Sequence, residues 1–208
     1  MRRPAPGSGH NVAMTNSPIW LTGDPEADRL LTEDDNALLI GMILDQQVPM
    51  EKAFSGPLVI ARRMGGTLDV AAIAASDEEE FVALCSTPPA IHRFPGSMAK
   101  RVRQCCQVLV ERHGGQAANV WRDAPTGDAL KAALASLPGF GADKAAIFTA
   151  VLGKRRGVTP PGWQAAAGYY GEPGTYRSVA DIIDEDSLRR VRETKQQVKA
   201  AAKAAGAC

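Results

Sequence analysis

The stretch Ala37-Leu38-Leu39-Ile40-Gly41-Met42-Ile43-Leu44 carries no polar side chain. A helix that is apolar all round is buried on every side, so this run predicts a central helix. Thr32-Glu33-Asp34-Asp35 lies just ahead and supplies capping oxygens and acids suited to the positive end of the helix dipole. Pro49 disfavours a helical residue before it, which stops the helix near Asp45-Gln46-Gln47. Pro49 then suits the first turn of a second helix through Lys52, Phe54, Leu58, Ile60 and Ala61, closed by Gly65-Gly66.

The same logic places short helices over 68–75 and 77–85, the second with Glu78, Glu79 and Glu80 in its first turn. Pro88-Pro89 breaks the chain, and Arg93-Phe94-Pro95-Gly96 reads as a loop. Ser97 is the expected cap of a longer helix through Val102, Cys105, Cys106, Leu109 and Val110, ending at Gly114-Gly115. Asp128 is the expected cap of a helix over 129–136, and a further helix is expected over 142–152. Residues 155–161 read as extended, 163–169 as one short helix, and 185–205 as a longer charged one. No segment alternates as a strand does and no repeat is visible, so the fold class is all-α.

Composition sharpens this reading. Aromatics make up only 5% of the chain while Ala, Leu and Val abound, which favours helix packing over a strand-rich sandwich. A length of 208 residues accommodates one domain, or two small ones sharing a cleft. The formal net charge of +1 offers no global argument for nucleic-acid binding, so any such argument must rest on local features. Cys85, Cys105, Cys106 and Cys208 show no CxxC pairing and no partnering His cluster, which argues against structural zinc or an iron–sulfur cluster; no metal is expected. The absence of a signal-peptide pattern and of a long apolar run makes the cytoplasm the expected compartment and a membrane role unexpected. Residues 1–16, rich in Pro, Gly and Asn, are expected to be flexible.

The chemistry concentrates in Leu137-Pro138-Gly139-Phe140-Gly141, which joins two expected helices. Gly139 and Gly141 allow backbone angles closed to other residues and leave no side chain between backbone and ligand. Amides of Gly139, Gly141 and Ala142 can then converge on an anion at the N-terminus of the next helix, where the dipole helps. Pro138 stiffens the entry, Leu137 and Phe140 can anchor the turn in the core, and Lys144 sits one turn in, where it can pair with a phosphate. A tight helical hairpin whose glycines serve geometry alone is the other reading, and these residues by themselves leave both open.

Together with the rest of the chain, this hairpin resembles that of the helix-hairpin-helix (HhH-GPD) DNA glycosylase superfamily. That group contains endonuclease III, the adenine mismatch glycosylase and the alkylbase glycosylases, and the likeness here is to an endonuclease III-like member. The family hairpin reads Leu-Pro-Gly-aliphatic-Gly, and 137–145 follows it closely. The buried run 37–44 followed by Asp45-Gln46-Gln47-Val48 matches a family helix that ends in a Gln- or Asn-bearing turn. Residues 94–111 match, more weakly, a loop followed by a Lys-bearing turn and a long helix.

The resemblance implies two helical subdomains around a cleft, one spanning 34–154 and one built from 17–33 plus 155–208. It implies an enzyme of base-excision repair that bends duplex DNA, extrudes a damaged or mismatched base and cleaves its N-glycosidic bond. Gln47, with Gln46 beside it, matches the position that fills the vacated stack, and Arg93, Lys100, Arg101 and Arg103 lie where backbone contacts fall. No cofactor is implied, and a monovalent cation would sit at the hairpin. The resemblance implies double-stranded DNA with a damaged or mismatched base as the partner, and the expected state is a monomer in the cytoplasm, associated with the nucleoid.

Two departures bear on the mechanism. The family carries an Asp a short way beyond the second hairpin helix, where it stabilises the cationic sugar or activates water. The matching stretch, 157–163, contains no acid. Members that also cut the strand place a Lys two residues after the last hairpin glycine; here that position is Asp143, and Lys144 follows it roughly 100° further around the helix. A monofunctional glycosylase is therefore expected, with Asp45 and Asp143 as the candidate acids; Asp181 and Asp184 come too late to match. The rival expectation is a protein of glycosylase fold that binds distorted DNA without cutting, and an unrelated helical interaction module is the third. His92 reads as a surface residue, with a pocket-lining place as the alternative, His113 as a helix cap, and Trp163, Tyr169, Tyr170 and Tyr176 as core packing or as a platform for an extruded base.

Overall fold

The structure is a computed structural model that describes residues 17–205, and among these every regular element is helical. The chain order is α1 (Pro25–Glu33), α2 (Asp35–Leu44), α3 (Met50–Arg63), α4 (Val70–Ala75), α5 (Glu78–Ser86), α6 (Pro95–His113), α7 (Ala118–Trp121), α8 (Gly127–Ala135), α9 (Ala142–Arg156), α10 (Trp163–Ala167) and α11 (Glu185–Ala205). Single 3-10 turns at Gly168–Tyr170 and Val179–Asp181 join the last two. The all-α expectation holds. The expected flexible segment 1–16 and Cys208 lie outside the described residues.

The apolar run becomes α2, capped by the Asp34 carboxylate, which accepts from the Asn36 and Ala37 N–H groups, and it is buried from Asn36 to Leu44. α1 carries no such run and is not apparent in the sequence pattern. It starts at Pro25 behind the Asp24 cap, and its buried Asp28 accepts from the Leu21 and Thr22 N–H groups to hold the incoming chain. α7 is likewise too short to show a period.

Three boundaries differ from expectation for local reasons. Pro95, read as part of a loop, is the first residue of α6, a position where a missing N–H costs nothing. Ser97 therefore lies inside that helix, and its hydroxyl donates back to the Phe94 carbonyl. Thr126 caps α8 by accepting from the Ala129 N–H, which leaves Asp128 within the first turn. α9 runs past Leu152 to Arg156 and ends where Gly157 turns left-handed (φ 65°), so residues 155 and 156 are helical and not extended.

α1 packs on α2 and α3, and α6 covers α2, α4 and α5; α8, α9 and α10 pack on one another, joined by the two 3-10 turns and α11. Two glycines explain how α10 docks. A Cβ at Gly127 would lie 2.5 Å from the Trp163 backbone, and one at Gly153 would lie 2.3 Å from the Trp163 ring. The indole therefore occupies a notch that only glycines leave open. Cys85, Cys105 and Cys106 are core thiols, and burial pushes Cys85 and Cys105 up to about 12.

α9 runs antiparallel to α2 and is tied to it at both ends. At its start the Lys144 Nζ donates to the carbonyls of Met42 (2.7 Å) and Ile43 (3.0 Å). At its end the buried Arg156 donates through Nε to Asp35 Oδ1 (2.9 Å) and through its guanidinium to the Leu31 carbonyl. The hairpin turn thereby comes to rest beside the C-terminal end of α2.

Candidate active site

The α2 helix ends in a sharp reversal. Asp45 (φ −73°, ψ 72°) is the centre of a three-residue turn in which the Gln46 N–H donates to the Leu44 carbonyl at 2.7 Å. The two glutamines after it have different fates. Gln46 is fixed: its Nε2 donates to the Ile43 carbonyl (3.1 Å) and its Oε1 accepts from Arg101 (2.9 Å). Its own carbonyl accepts from His92 Nε2 at 2.8 Å. Gln47 is exposed and adopts a left-handed backbone (φ 55°), the only described residue other than glycine to do so.

His92 is 2% exposed, so its reading as a surface residue is corrected. Its Nδ1 accepts from the Phe94 N–H at 3.0 Å, which leaves Nε2 as the donor to Gln46. The ring thus bolts the glutamine turn to the loop carrying Arg93 and Phe94. Arg93 stacks over the exposed Phe94 ring, 4.7 Å from its centroid. The other expected backbone-contacting cations have protein partners: Lys100 pairs with Glu78, Arg101 holds Gln46, and Arg103 donates to the Ser76 carbonyl.

The hairpin takes the form its sequence favours. Leu137 is buried, Gly139 is left-handed (φ 87°), and the Phe140 ring lies 5.8 Å from that of Phe148. A Cβ on Gly139 would approach Ile43 Cγ2 to 3.3 Å, which seats the turn against α2. Pro138 lies half-buried between Leu137 and Gly139. Gly141 caps α9 in an extended conformation with no side-chain bond, and Gly141, Ala142 and Asp143 are all exposed. The first amides of α9 therefore face solvent together with the positive end of its dipole.

Lys144 does not join them. Its amine is half-buried on the α2 carbonyls, and burial lowers it to about 8, with Asp45 acting in the opposite direction and Arg101 reinforcing the fall. Asp45 is its neighbour in charge. Burial raises the Asp45 carboxyl above the usual carboxylate range, while Lys195 and Lys144 pull it down and Glu51 pushes it up.

Asp45 and Asp143 line one cleft of about 360 Å³, roofed by α11 through Lys195, Val198 and Lys199. Asp143 Oδ1 accepts from the Tyr170 hydroxyl at 3.0 Å; burial, reinforced by that bond, pushes the phenol up. Tyr169 packs on Tyr170 with centroids 4.5 Å apart and is covered by Arg177 at 4.3 Å. The four C-terminal aromatics therefore divide. Tyr169 and Tyr170 face this cleft, while Trp163 and Tyr176 line a separate depression with Lys154 and Asp181.

Neither late acid reaches the cleft wall. Asp181 is buried against Lys154 (2.6 Å) and accepts from the Arg177 and Ser178 N–H groups, and Asp184 caps α11 through Ser187. The acid-free stretch 157–163 is tied down on α8, where the Gly127 N–H donates to the Pro161 carbonyl. Arg177, Lys195 and Lys199 carry no motif, and sequence reasoning missed them because only the fold-back of the segment between the two 3-10 turns, for Arg177, and of α11, for the lysines, brings them to the cleft. No curated protein and no solved structure matches the chain. The family described as HhH-GPD superfamily base excision DNA repair protein does match, over residues 40–206, and the chain belongs to that superfamily.

Proposed function

We propose that the chain is a monofunctional DNA glycosylase that hydrolyses the N-glycosidic bond of a damaged or mismatched base extruded from duplex DNA. The observation that carries this reading is that Asp45 and Asp143 line one cleft together with the Tyr169–Tyr170 pair, beside the hairpin. The tyrosines offer an extruded base a stacking face. Glycosidic cleavage develops positive charge on the sugar, and a carboxylate stabilises that charge most where water is scarce. Asp45, half-buried and flanked by Lys144 and Lys195, takes that part. Asp143, exposed and oriented by Tyr170, takes the proton of the attacking water, and the base departs with its bonding electrons.

The DNA would be held by the open amides of Gly139, Gly141 and Ala142 at the hairpin, with Gln47 filling the vacated stack. Lys144 as a strand-cutting nucleophile is disfavoured, since its amine is engaged by Met42 and Ile43. The acid-free stretch 157–163 favours a second reading, in which the protein recognises distorted DNA without cutting it. One experiment separates the two. Duplexes each bearing a single lesion (uracil, hypoxanthine, alkylpurines, oxidised bases or a mismatch) are incubated with the protein and then treated with alkali. Strand breaks abolished in Asp45→Asn or Asp143→Asn support the glycosylase; tight binding with no break on any lesion leaves only the binder.

A further inference from the structure

The C-terminal half of α11 has a composition that its packing does not explain. From Thr194 to Ala205 it contains Lys195, Lys199 and Lys203 and no acid. In its first half the charges are matched: Arg189 pairs with Asp186 and Glu193, Arg190 with Asp186, and Arg192 with Glu51. Among the described residues, Lys199 and Lys203 take part in no ion pair, and both are exposed.

A spacing of four puts the lysines on one side of the helix. Dipole matching accounts for a cation in the last turn, which covers Lys203, but its effect falls off within that turn and does not reach Lys195 or Lys199. The position of the stripe is more telling than its charge. Lys195 lines the cleft beside Asp45 and also the adjoining depression beside Val48 and Pro49, while Lys199 lines the cleft with Asp143. Lys195 and Lys199 therefore stand on the α11 side of the same cleft as Asp143 in the first turn of α9, and Lys203 continues their row one turn further along the helix.

We propose that Lys195, Lys199 and Lys203 form a second phosphate-binding track of the DNA site, facing the hairpin across the cleft. This rests on the cleft being a DNA site, and it assigns α11 a role that the hairpin alone cannot fill. An extruded nucleotide has a phosphate on each side. One strand segment lies on the amides of α9, and the segment leaving the cleft passes along the lysine stripe. The occupant is DNA because the stripe offers several cations in a row without an acid between them and is continuous with the candidate active site.

The test is the salt dependence of binding to a fluorescent duplex that carries one tetrahydrofuran abasic analogue. Removing one lysine–phosphate interaction flattens the log–log salt slope by about 0.9, so K199Q/K203Q should flatten it by about 1.8 and weaken binding roughly tenfold or more at about 0.1 M salt. The exposed, alanine-rich setting makes misfolding of this variant readily detectable by circular dichroism, and R189Q, whose charge is already paired, should leave the slope unchanged. Gly141→Val puts a side chain beside the open amides of α9 and should weaken binding; if it does so while K199Q/K203Q leaves the slope unaltered, the stripe is overturned and the cleft reading stands. Failure of the wild-type protein to bind the duplex overturns both. A change of sedimentation mass in K199Q/K203Q without a change of slope shows that the stripe serves self-association and also overturns the proposal.

Discussion

Lys144 and Met42 are 102 residues apart in the chain, yet the lysine amine sits 2.7 Å from the methionine carbonyl, at the point where α2 runs out of internal hydrogen-bond donors. The bond joins the hairpin to the glutamine turn, so the two features that carry the family resemblance are held as one unit.

Two effects follow for Lys144. Lys144→Met removes a charge-assisted donor from two helix-terminal carbonyls and should cost about 1–3 kcal/mol in urea denaturation. The amine is lowered in the folded state to about 8 from 10.5, so between those values the unfolded chain binds more protons than the folded one. Stability then rises with pH across that window for this group. The wild-type advantage over Lys144→Met should therefore grow from about pH 8 to about pH 10; a constant or shrinking difference would contradict the burial of the charged amine.

Gln46 and Gln47 should respond in opposite ways. Gln46→Ala removes the bonds to the Ile43 carbonyl and to Arg101, and a loss of roughly 1–2 kcal/mol is expected. Gln47→Gly relieves a left-handed backbone at an exposed position and should stabilise the fold by up to about 1 kcal/mol. The same change removes the amide that would fill the stack. In a duplex with 2-aminopurine opposite an abasic analogue, Gln47→Gly should lower the fluorescence change on binding, while Gln46→Ala should disturb it only as far as it disturbs the fold.

How much of this was legible in the sequence depends on the range of the signal. The buried α2 helix, its end before Pro49, and the hairpin glycines are written in adjacent residues, and the structure has them where the pattern placed them. Caps were harder, because Thr126 and Asp128 are both good capping residues two positions apart and only the entry angle of the chain decides between them. The placement of Lys144 was illegible: one turn into a helix beside a phosphate-binding turn, it reads as a surface cation, and nothing local announces the α2 carbonyls 102 residues earlier. Arg177, Lys195 and Lys199 are illegible for the same reason, since the loop before the second 3-10 turn and α11 reach the cleft only after the chain has folded back.

Trp163 offers a test of the fold that is independent of DNA. A Cβ at Gly153 would stand 2.3 Å from its ring, closer than real Cβ atoms approach a neighbour, so the ring lies hard against α9 while the Trp163 backbone lies against α8. Gly153→Ala gains helix propensity but must expel or tilt the indole, and overpacking of this kind costs about 1–3 kcal/mol. Lower melting temperature together with a red-shifted tryptophan emission is expected. A stabilised variant with unchanged emission would mean that α10 does not dock in the glycine notch.

His92 makes the sharpest claim about a single proton. Its ring accepts from the Phe94 N–H through Nδ1 and donates to the Gln46 carbonyl through Nε2, which requires the neutral tautomer protonated at Nε2. Long-range nitrogen–proton NMR near neutral pH should show a pyridine-like Nδ1 and a pyrrole-like Nε2; the opposite tautomer would break both bonds. His92→Leu keeps the volume roughly but strands the Gln46 carbonyl and the Phe94 amide, both part-buried against the ring. The expected cost is about 1–3 kcal/mol, short of the full penalty for two buried groups because both partners are part-exposed. Because the broken bond anchors the residue next to Gln47, affinity for the abasic duplex should fall as well, even at temperatures where the variant remains folded. Reduced stability with unchanged affinity would confine His92 to the core and detach it from the glutamine turn.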